Sequence, residues 1–259
     1  MPFVHVAGER LFYALFEGDV TGRRNLILVH GAAGSHIHWP AELRRLPATN
    51  VYALDLPAHG RSGGQARASL AEYADTVHLF ALAVGLRRAH VLGHSMGGGI
   101  VQLLAARRPP WLDRVIVVAS GARLPVDPVI LDGLQPTQAA KDFARAVDLI
   151  CRRAYSPQAR PQTVAQGRRL LMEVDRHVFY ADYLACQSFD AQPLLPRIDR
   201  PVLVIAGAMD EMTPPAESRY LAAHIANARL VELRATGHML IVEQPLTVAQ
   251  TVAQFLRAD

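Results

Sequence analysis

The residues from 92 to 99 constrain the fold of this chain more than any others. They are Leu-Gly-His-Ser-Met-Gly-Gly-Gly; an apolar run at 89–92 with the length of a buried strand leads into them, and a run of helix formers at 100–106 follows. Ser95 therefore stands at a strand-to-helix turn, and the glycines two residues before and after it let the backbone turn tightly. The N-terminal amides of the helix favour negative charge at this turn. We interpret Ser95 as a nucleophile.

The pattern G-x-S-x-G is weak evidence when it stands alone. At glycine and serine frequencies of about 7% each, chance produces it in about one chain in ten of this length. The assignment of Ser95 therefore depends on whether the rest of the chain supplies the other groups that a nucleophilic serine needs.

Short apolar runs alternate with helix-forming segments along most of the chain. A hairpin is predicted from residues 3–6 and 11–16, and further strands are predicted at 25–29, 51–55, 89–92, 115–119, 201–206 and 228–233. Helices are predicted at 36–46, 70–84, 100–106, 215–225 and from 244 onward, with Ser69 as N-cap of the second. This alternation indicates an α/β fold whose mostly parallel sheet is covered by helices on both faces. Ligands bind such sheets beyond the carboxyl ends of the strands, where His30, Asp55 and Ser95 fall.

The pattern changes between residues 122 and 198. No strand-like run occurs there, and helical segments are predicted at 136–155, 162–174 and 175–190. A stretch of this length without a strand interrupts the alternation that precedes and follows it. We therefore predict a helical cap (lid) at 122–198 over the binding edge of one core domain formed by 1–121 and 199–259. Additional helices packed on the sheet are the alternative.

The composition excludes several classes of function. The 259 residues suffice for one large domain, and the net charge of +4 comes from scattered arginines, with Lys141 as the only lysine. Without a basic cluster or module, no nucleic-acid partner is expected.

Cys151 and Cys186 form no C-x-x-C pair and have no histidine at metal spacing, so we predict no metal and expect both thiols to be reduced and buried. No apolar run reaches about 18 residues and no signal peptide is evident, which predicts a cytoplasmic protein without a membrane span.

A serine hydroxyl is a weak nucleophile at neutral pH, so it needs a base within hydrogen-bond reach and a third group that orients the base. Asp210 and His238 each follow a predicted strand, so both come to the same edge of the sheet as Ser95. Glu211 is an alternative acid because it lies in the same loop. His94 is an alternative base, although a residue next to the serine points to the wrong side of a tight turn.

Five separated features resemble the α/β-hydrolase superfamily, in a form with a helical cap between the sixth and seventh strands. They are His-Gly at 30–31, Asp-Leu-Pro-Ala-His-Gly-Arg-Ser at 55–62, Gly-His-Ser-Met-Gly at 93–97, the acid at 210, and Gly-His at 237–238. The resemblance covers nearly the whole chain. It implies that Ser95 is the nucleophile, His238 the general base and then acid, and Asp210 its orienting partner. It further implies an oxyanion hole formed by the backbone N–H groups of Ala32 and Met96.

Other residues at this edge are expected to shape the pocket. His30, Gly31 and Trp39 are its candidate lining residues. His30 and His59 are also expected to hydrogen-bond loops near the site. Asp55 resembles a family position that shapes a loop, so we do not assign it as the catalytic acid.

The resemblance implies acyl transfer to water without a metal or cofactor. We expect hydrolysis of small to medium, fairly apolar carboxylic esters, since relatives that displace halide or open epoxides carry aspartate in place of Ser95. Enol-lactones, thioesters, C–C bonds of diketones and perhydrolysis remain alternatives with the same triad. A hydroxynitrile lyase is disfavoured because Lys141 is the only candidate for its lysine. A non-catalytic receptor on the same fold would usually lack part of the triad.

Overall fold

A single twisted sheet runs through the centre of the protein. The computed structural model describes residues 2–18 and 23–257, and within them eight strands follow the order β1-β2-β4-β3-β5-β6-β7-β8. The first two strands form the antiparallel edge, and the other six are parallel to one another. The strands are β1 (Phe3–Val6), β2 (Glu9–Phe16), β3 (Arg24–Val29), β4 (Thr49–Leu54), β5 (Ala89–His94), β6 (Leu112–Val118), β7 (Val202–Gly207) and β8 (Ala228–Leu233).

Helices cover both faces of this sheet. In β3, Ile27 and Val29 pack on one face and Leu26 and Leu28 on the other, as the period of two in a strand requires. The helices are α1 (Ala41–Arg44), α2 (Leu70–Ala83), α3 (Met96–Ala106), α4 (Pro128–Leu134), α5 (Ala140–Ala154), α6 (Pro161–Met172), α7 (Arg176–Gln187), α8 (Pro215–His224), α9 (Leu240–Glu243) and α10 (Pro245–Arg257). The predicted α/β architecture is confirmed.

Four helices, α4 to α7, lie between β6 and β7 and will be called the helical insertion. Their apolar faces share a core of their own, in which Phe143 of α5 and Phe179 of α7 are fully buried. The two ends of the insertion meet where Arg123 and Asp190 form a backbone bridge and a side-chain ion pair at 2.8 Å. The sequence analysis predicted helices and no strand for residues 122–198, and the elements described there agree with that prediction.

Two helix predictions differ from the structure. Residues 36–46 form a 3₁₀ turn at His36–His38 and the short α1, because Pro40 lacks an N–H and forces Trp39 into an extended conformation. The helix predicted at 136–155 begins later, as α5, and the separate α4 before it was missed. Asp127 caps α4 by accepting a hydrogen bond from Val129 N. The predicted N-cap of α2 is confirmed, since Ser69 Oγ accepts from the N–H of Glu72 at 3.3 Å.

No helix in the described ranges is both long and apolar enough to cross a lipid bilayer.

The parallel arrangement of the strands brings the loops after β3, β4, β5, β7 and β8 to one edge of the sheet. The candidate site lies at that edge, beneath the helical insertion.

Candidate active site

Ser95 occupies a strained turn between β5 and α3. Its φ of 54° lies in the left-handed region, which a residue with a Cβ atom adopts at a cost of about 1–2 kcal/mol. The two glycines of the pattern are required by close packing. A Cβ atom at Gly93 would collide with the Gly97 carbonyl, and one at Gly97 would collide with the carbonyl of Val29. This turn places the serine hydroxyl at the wall of a cavity.

Asp210 and His238 form a buried pair in the loops after β7 and β8. His238 Nδ1 donates to Asp210 Oδ2 at 2.9 Å, and both side chains are at least nine-tenths buried. Because Nδ1 donates, Nε2 of the neutral ring is left as the acceptor. His238 and Ser95 line the same cavity. The structure thus brings together the three residues predicted as nucleophile, base and orienting acid.

The carboxylate of Asp210 is held by an unusually complete set of donors. The backbone N–H groups of Met212 and Thr213 each donate to Oδ1 at 2.8 Å, and the Thr213 hydroxyl donates to Oδ2 at 2.8 Å. Burial favours the protonated acid, but His238 and these donors outweigh it and hold the pKa of Asp210 below its ordinary value. The neighbouring Glu211 is exposed, so the alternative acid does not take this position.

His94 supports the histidine loop. Its Nε2 donates to the carbonyl oxygen of His238 at 3.0 Å, and its ring lies 5.1 Å from the His238 ring. Burial, together with the proximity of His238, lowers the pKa of His94 to about 3. The ring is therefore neutral at working pH, and its donor orients His238.

Two backbone N–H groups, one in the loop after β3 and one directly after Ser95, have no acceptor among the described residues. Within residues 2–18 and 23–257, neither Ala32 N nor Met96 N donates a hydrogen bond. Such groups are rare in buried positions, and Met96 is fully buried. Both residues are those that the family resemblance implies: Ala32 lies in the small-residue loop after β3, and Met96 is the first residue of α3. Ala32 lines the cavity, whereas the fully buried Met96 directly follows Ser95, which lines it.

The loop after β3 is shaped by histidines and carboxylates from its neighbours. His30 Nδ1 donates to Gly31 O at 2.8 Å, and its Nε2 accepts from Leu56 N at 3.1 Å. Burial lowers the pKa of His30 well below its ordinary value, in keeping with this neutral tautomer. Asp55 accepts hydrogen bonds from the backbone N–H groups of His36 and Arg61. These contacts tie the loops after β3 and β4 to each other.

A third buried acid, Asp182 of α7, was missed by the sequence analysis. It is fully buried and accepts from Ala33 N at 2.8 Å, from His59 Nε2 at 2.8 Å and from the Tyr73 hydroxyl at 2.9 Å. A signal was present in the sequence, because Asp182 interrupts the apolar face that Phe179 forms on the same helix. Thr213 was missed as well; it contacts both Asp210 and His238.

The cavity between the insertion and the sheet edge has a volume of about 360 Å³. The predicted pocket residues His30, Gly31 and Trp39 line it together with aliphatic and aromatic side chains of α5, α6 and α7. No Asp, Glu, Lys or Arg in the described part of the chain is among its lining residues. Cys151 and Cys186 are free thiols in its wall, buried as expected. Among the described residues, no three side chains of His, Cys, Asp or Glu converge on a metal site.

Residues 26–251 match the model of the alpha/beta hydrolase family. The chain is a member of that family. The serine turn and the acid and histidine loops of this hydrolase all lie within the matched region.

Its relatives are hydrolases of several substrates. A protein of Caulobacter vibrioides, provisionally named a carbamate hydrolase, is 29% identical over 96% of both chains. The pimeloyl-[acyl-carrier protein] methyl ester esterase of Neisseria meningitidis is 30% identical over 83% of this chain and 86% of its own. The structure of an enol-lactonase from Burkholderia xenovorans superimposes with a TM-score of 0.88 at 26% identity, covering 99% and 100% of the two chains. The hydrolase therefore belongs to a group in which the reaction class is shared and the substrate varies.

Proposed function

We propose that this hydrolase cleaves carboxylic esters through an acyl-enzyme on Ser95. His238 takes the hydroxyl proton as Ser95 attacks the carbonyl carbon, and the N–H groups of Ala32 and Met96 bind the oxyanion that forms. The C–O bond then breaks, and the alcohol leaves with the proton from His238. Water, activated by the same histidine, attacks the acyl-enzyme, and the acid product and free Ser95 are released. Asp210 holds the histidine in the required tautomer throughout.

The observation that carries the proposal is the buried His238–Asp210 pair, whose histidine lines the same cavity as Ser95. A histidine with its Nδ1 proton committed to a carboxylate presents Nε2 as a base. The unpaired N–H groups of Ala32, which lines this cavity, and of Met96, the residue after Ser95, would bind negative charge there. A receptor that only binds a ligand needs neither the strained serine nor the oriented base.

We assign a neutral, fairly apolar substrate of small to medium size. A volume of about 360 Å³ lies near the lower end of the range for small-molecule sites. A charged group buried there would find no counter-ion among the described lining residues, and burying an unpaired charge is costly. In this proposal residues 122–198 act as a cap, because α5, α6 and α7 supply lining residues to the cavity that Ser95 also lines.

An enol-lactone is the second candidate substrate. The resemblance to the Burkholderia xenovorans enol-lactonase extends over the whole chain, and a lactone is an internal ester that the same steps would open. Thioesters and C–C bonds of diketones use the same residues, but no contact in the cavity favours them.

The test combines covalent labelling with a substrate panel. A serine-directed phosphonate is reacted with the enzyme and its adduct located by mass spectrometry, and nitrophenyl esters of increasing acyl length are then compared with lactones and thioesters. We expect labelling at Ser95 and a loss of about 10³–10⁶ in kcat for Ser95→Ala on every accepted substrate. Ser120→Ala is the matched control, since Ser120 is a fully buried serine not among the residues lining the cavity. Labelling elsewhere, or full activity of Ser95→Ala, would contradict the proposal.

A further inference from the structure

A second space lies beside the cavity that Ser95 lines. It has a volume of about 510 Å³, and its wall consists of residues between 151 and 157, Val164 of α6 and residues 208–211 of the loop after β7. Part of this wall is exposed, as at Glu211, so the space opens at the surface of the protein. It will be called the outer recess.

Two residues separate the outer recess from the cavity. Among the described residues, only Cys151 and Tyr155 line both spaces. Cys151 lies in the last turn of α5 and Tyr155 directly follows that helix, a spacing of four positions that makes neighbours of their side chains. Burial, together with the nearby Cys151, raises the pKa of Tyr155 above its ordinary value, so its phenol is neutral.

The ring of Tyr155 reaches from the end of α5 to α6. A Cβ atom on Gly167 would collide with the Tyr155 hydroxyl, so the end of the phenol lies directly on the backbone of that residue. Glycine is disfavoured inside a helix relative to alanine, and here the missing side chain leaves room for the ring. Gly167 lines the cavity, whereas Val164, one turn earlier on the same helix, lines the recess. The Tyr155 side chain therefore lies between the two spaces.

This partition limits the space available to a substrate. The cavity holds about 360 Å³, and a chain that extends toward the recess meets the ring of Tyr155. A small side chain at this position would join the cavity to the recess. Each further methylene that a longer chain could then bury would raise kcat/KM by up to about fourfold.

We propose that Tyr155 determines the substrate specificity of this hydrolase by setting the longest chain that the cavity accepts. Its ring closes the cavity toward the outer recess, so longer esters are rejected by their size. This inference rests on the proposed function, in which Ser95 cleaves an ester of small to medium size, and it names the residue that sets that size.

The first test measures kcat/KM for two series of esters, in which either the acyl chain or the alcohol chain grows by two carbons at a time. Acid release is followed with a pH indicator. We expect the parent enzyme to show, in at least one series, a length beyond which kcat/KM falls. Tyr155→Ala should raise kcat/KM for an ester about four carbons beyond this length, relative to the shortest ester, by about tenfold or more. Failure of Tyr155→Ala to change this ratio in either series, or a parent enzyme without a length limit, would overturn the proposal.

Two control variants separate the partition from other effects of the wall. Tyr155→Phe keeps the ring and removes only a hydroxyl that has no hydrogen-bond partner among the described residues, so it should keep the ratio within about threefold. Leu170 lines the cavity but not the recess, so Leu170→Ala enlarges the cavity without joining the two spaces. We expect it to extend the limit by no more than about two carbons. An equal gain in Leu170→Ala and Tyr155→Ala would overturn the proposal.

The decisive test fills the recess again. Val164 lines the recess and not the cavity, so Val164→Trp places a large ring in the path of a chain that passes Tyr155→Ala. In that background it should return the ratio to within about threefold of the parent value, and in the parent enzyme it should change the ratio by less than about twofold. A gain that survives Val164→Trp would place the longer chain elsewhere and contradict the proposal.

Two measurements keep these outcomes interpretable. Rates are expressed per site titrated with the phosphonate, which removes unfolded protein from the comparison, and Tyr155→Val replaces the alanine variant if the latter does not fold. Ser95→Ala is measured in the parent and in the Tyr155→Ala background. Activity that survives in Ser95→Ala refutes the proposed function itself, whereas serine-dependent activity with a length limit indifferent to Tyr155 refutes only this inference.

Discussion

At the scale of single residues, the candidate site depends on which of its side chains are ionised. Asp210 stays ionised because Thr213, Met212 and His238 all donate to it. His94, two residues beyond Leu92 in the same buried strand, is neutral because burial removes water from its ring. Two buried imidazoles 5.1 Å apart thus make different contacts: His238 donates through Nδ1 to Asp210, and His94 donates through Nε2 to the carbonyl of His238.

The role of Asp210 is tested by an isosteric change. Asp210→Asn places an amide where the carboxylate accepts from His238, which favours the tautomer with its proton on Nε2 and removes the base. We expect kcat for a neutral ester to fall by about 10³–10⁴-fold, measured by steady-state kinetics. Glu211→Gln is the matched control, because it alters the exposed acid next in the chain, and it should change kcat by less than about twofold. Equal losses in the two variants would contradict the assignment of the orienting acid.

At the scale of elements, buried polar contacts tie the insertion to the loops at the sheet edge. Asp182 of α7 binds the loop after β3 and, through His59, the loop after β4. The carbonyl of Ala154, the last residue of α5, accepts from the N–H of Met239 in the histidine loop at 2.9 Å. These contacts connect the insertion to both sides of the candidate site.

The ion pair between α7 and the β4 loop predicts a dependence of stability on pH. Burial opposes the charge on His59, but Asp182 and the Pro57 carbonyl outweigh it and raise the pKa of His59 above its ordinary value. A raised pKa in the folded state contributes stability that is complete below about pH 6.5 and is lost as the pH rises through the folded pKa.

We therefore expect the free energy of unfolding, from urea titrations, to fall above about pH 6.5 in the parent enzyme. The fall should be smaller in Asp182→Asn, which lacks the charge that stabilises the imidazolium. Parallel pH profiles of the two proteins would show that the pair is not ionised.

At the scale of the whole molecule, the cavity has no Asp, Glu, Lys or Arg among its described lining residues. The net charge of +4 comes from arginines such as Arg107 and Arg219, which pair with acids on the surface. Exposed pairs of this kind stabilise the fold by only about 0–1 kcal/mol. Their distribution leaves the cavity between sheet and insertion free of charged side chains among the described residues, and this favours neutral substrates.

A pair of matched esters tests this arrangement. The nitrophenyl monoester of a dicarboxylic acid and the nitrophenyl ester of a fatty acid of equal chain length differ by a terminal carboxylate. We expect kcat/KM for the charged ester to be lower by about 10²-fold or more, since about 3 kcal/mol of unpaired burial corresponds to that factor. Equal values for the two esters would contradict a neutral substrate class.

The sequence by itself determined the architecture and the residues of the candidate triad. Period-two and period-3.6 apolar patterns, and the strained turn at Ser95 between its glycines, are local features of the chain. Because parallel strands carry their C-terminal loops to one edge, Asp210 and His238 could be placed beside that serine. The fold prediction is confirmed; the catalytic roles of these residues remain predictions.

The tertiary structure alone decided what surrounds those residues. Asp182 and Ala33 are 149 positions apart, and no periodic pattern predicts that a carboxylate on the apolar face of a helix binds a backbone N–H in a distant loop. The neutral cavity likewise arises from side chains of separate elements that meet only when the insertion packs on the sheet. Local patterns report the conformation of a segment, whereas hydrogen bonds and cavities depend on which segments meet in space.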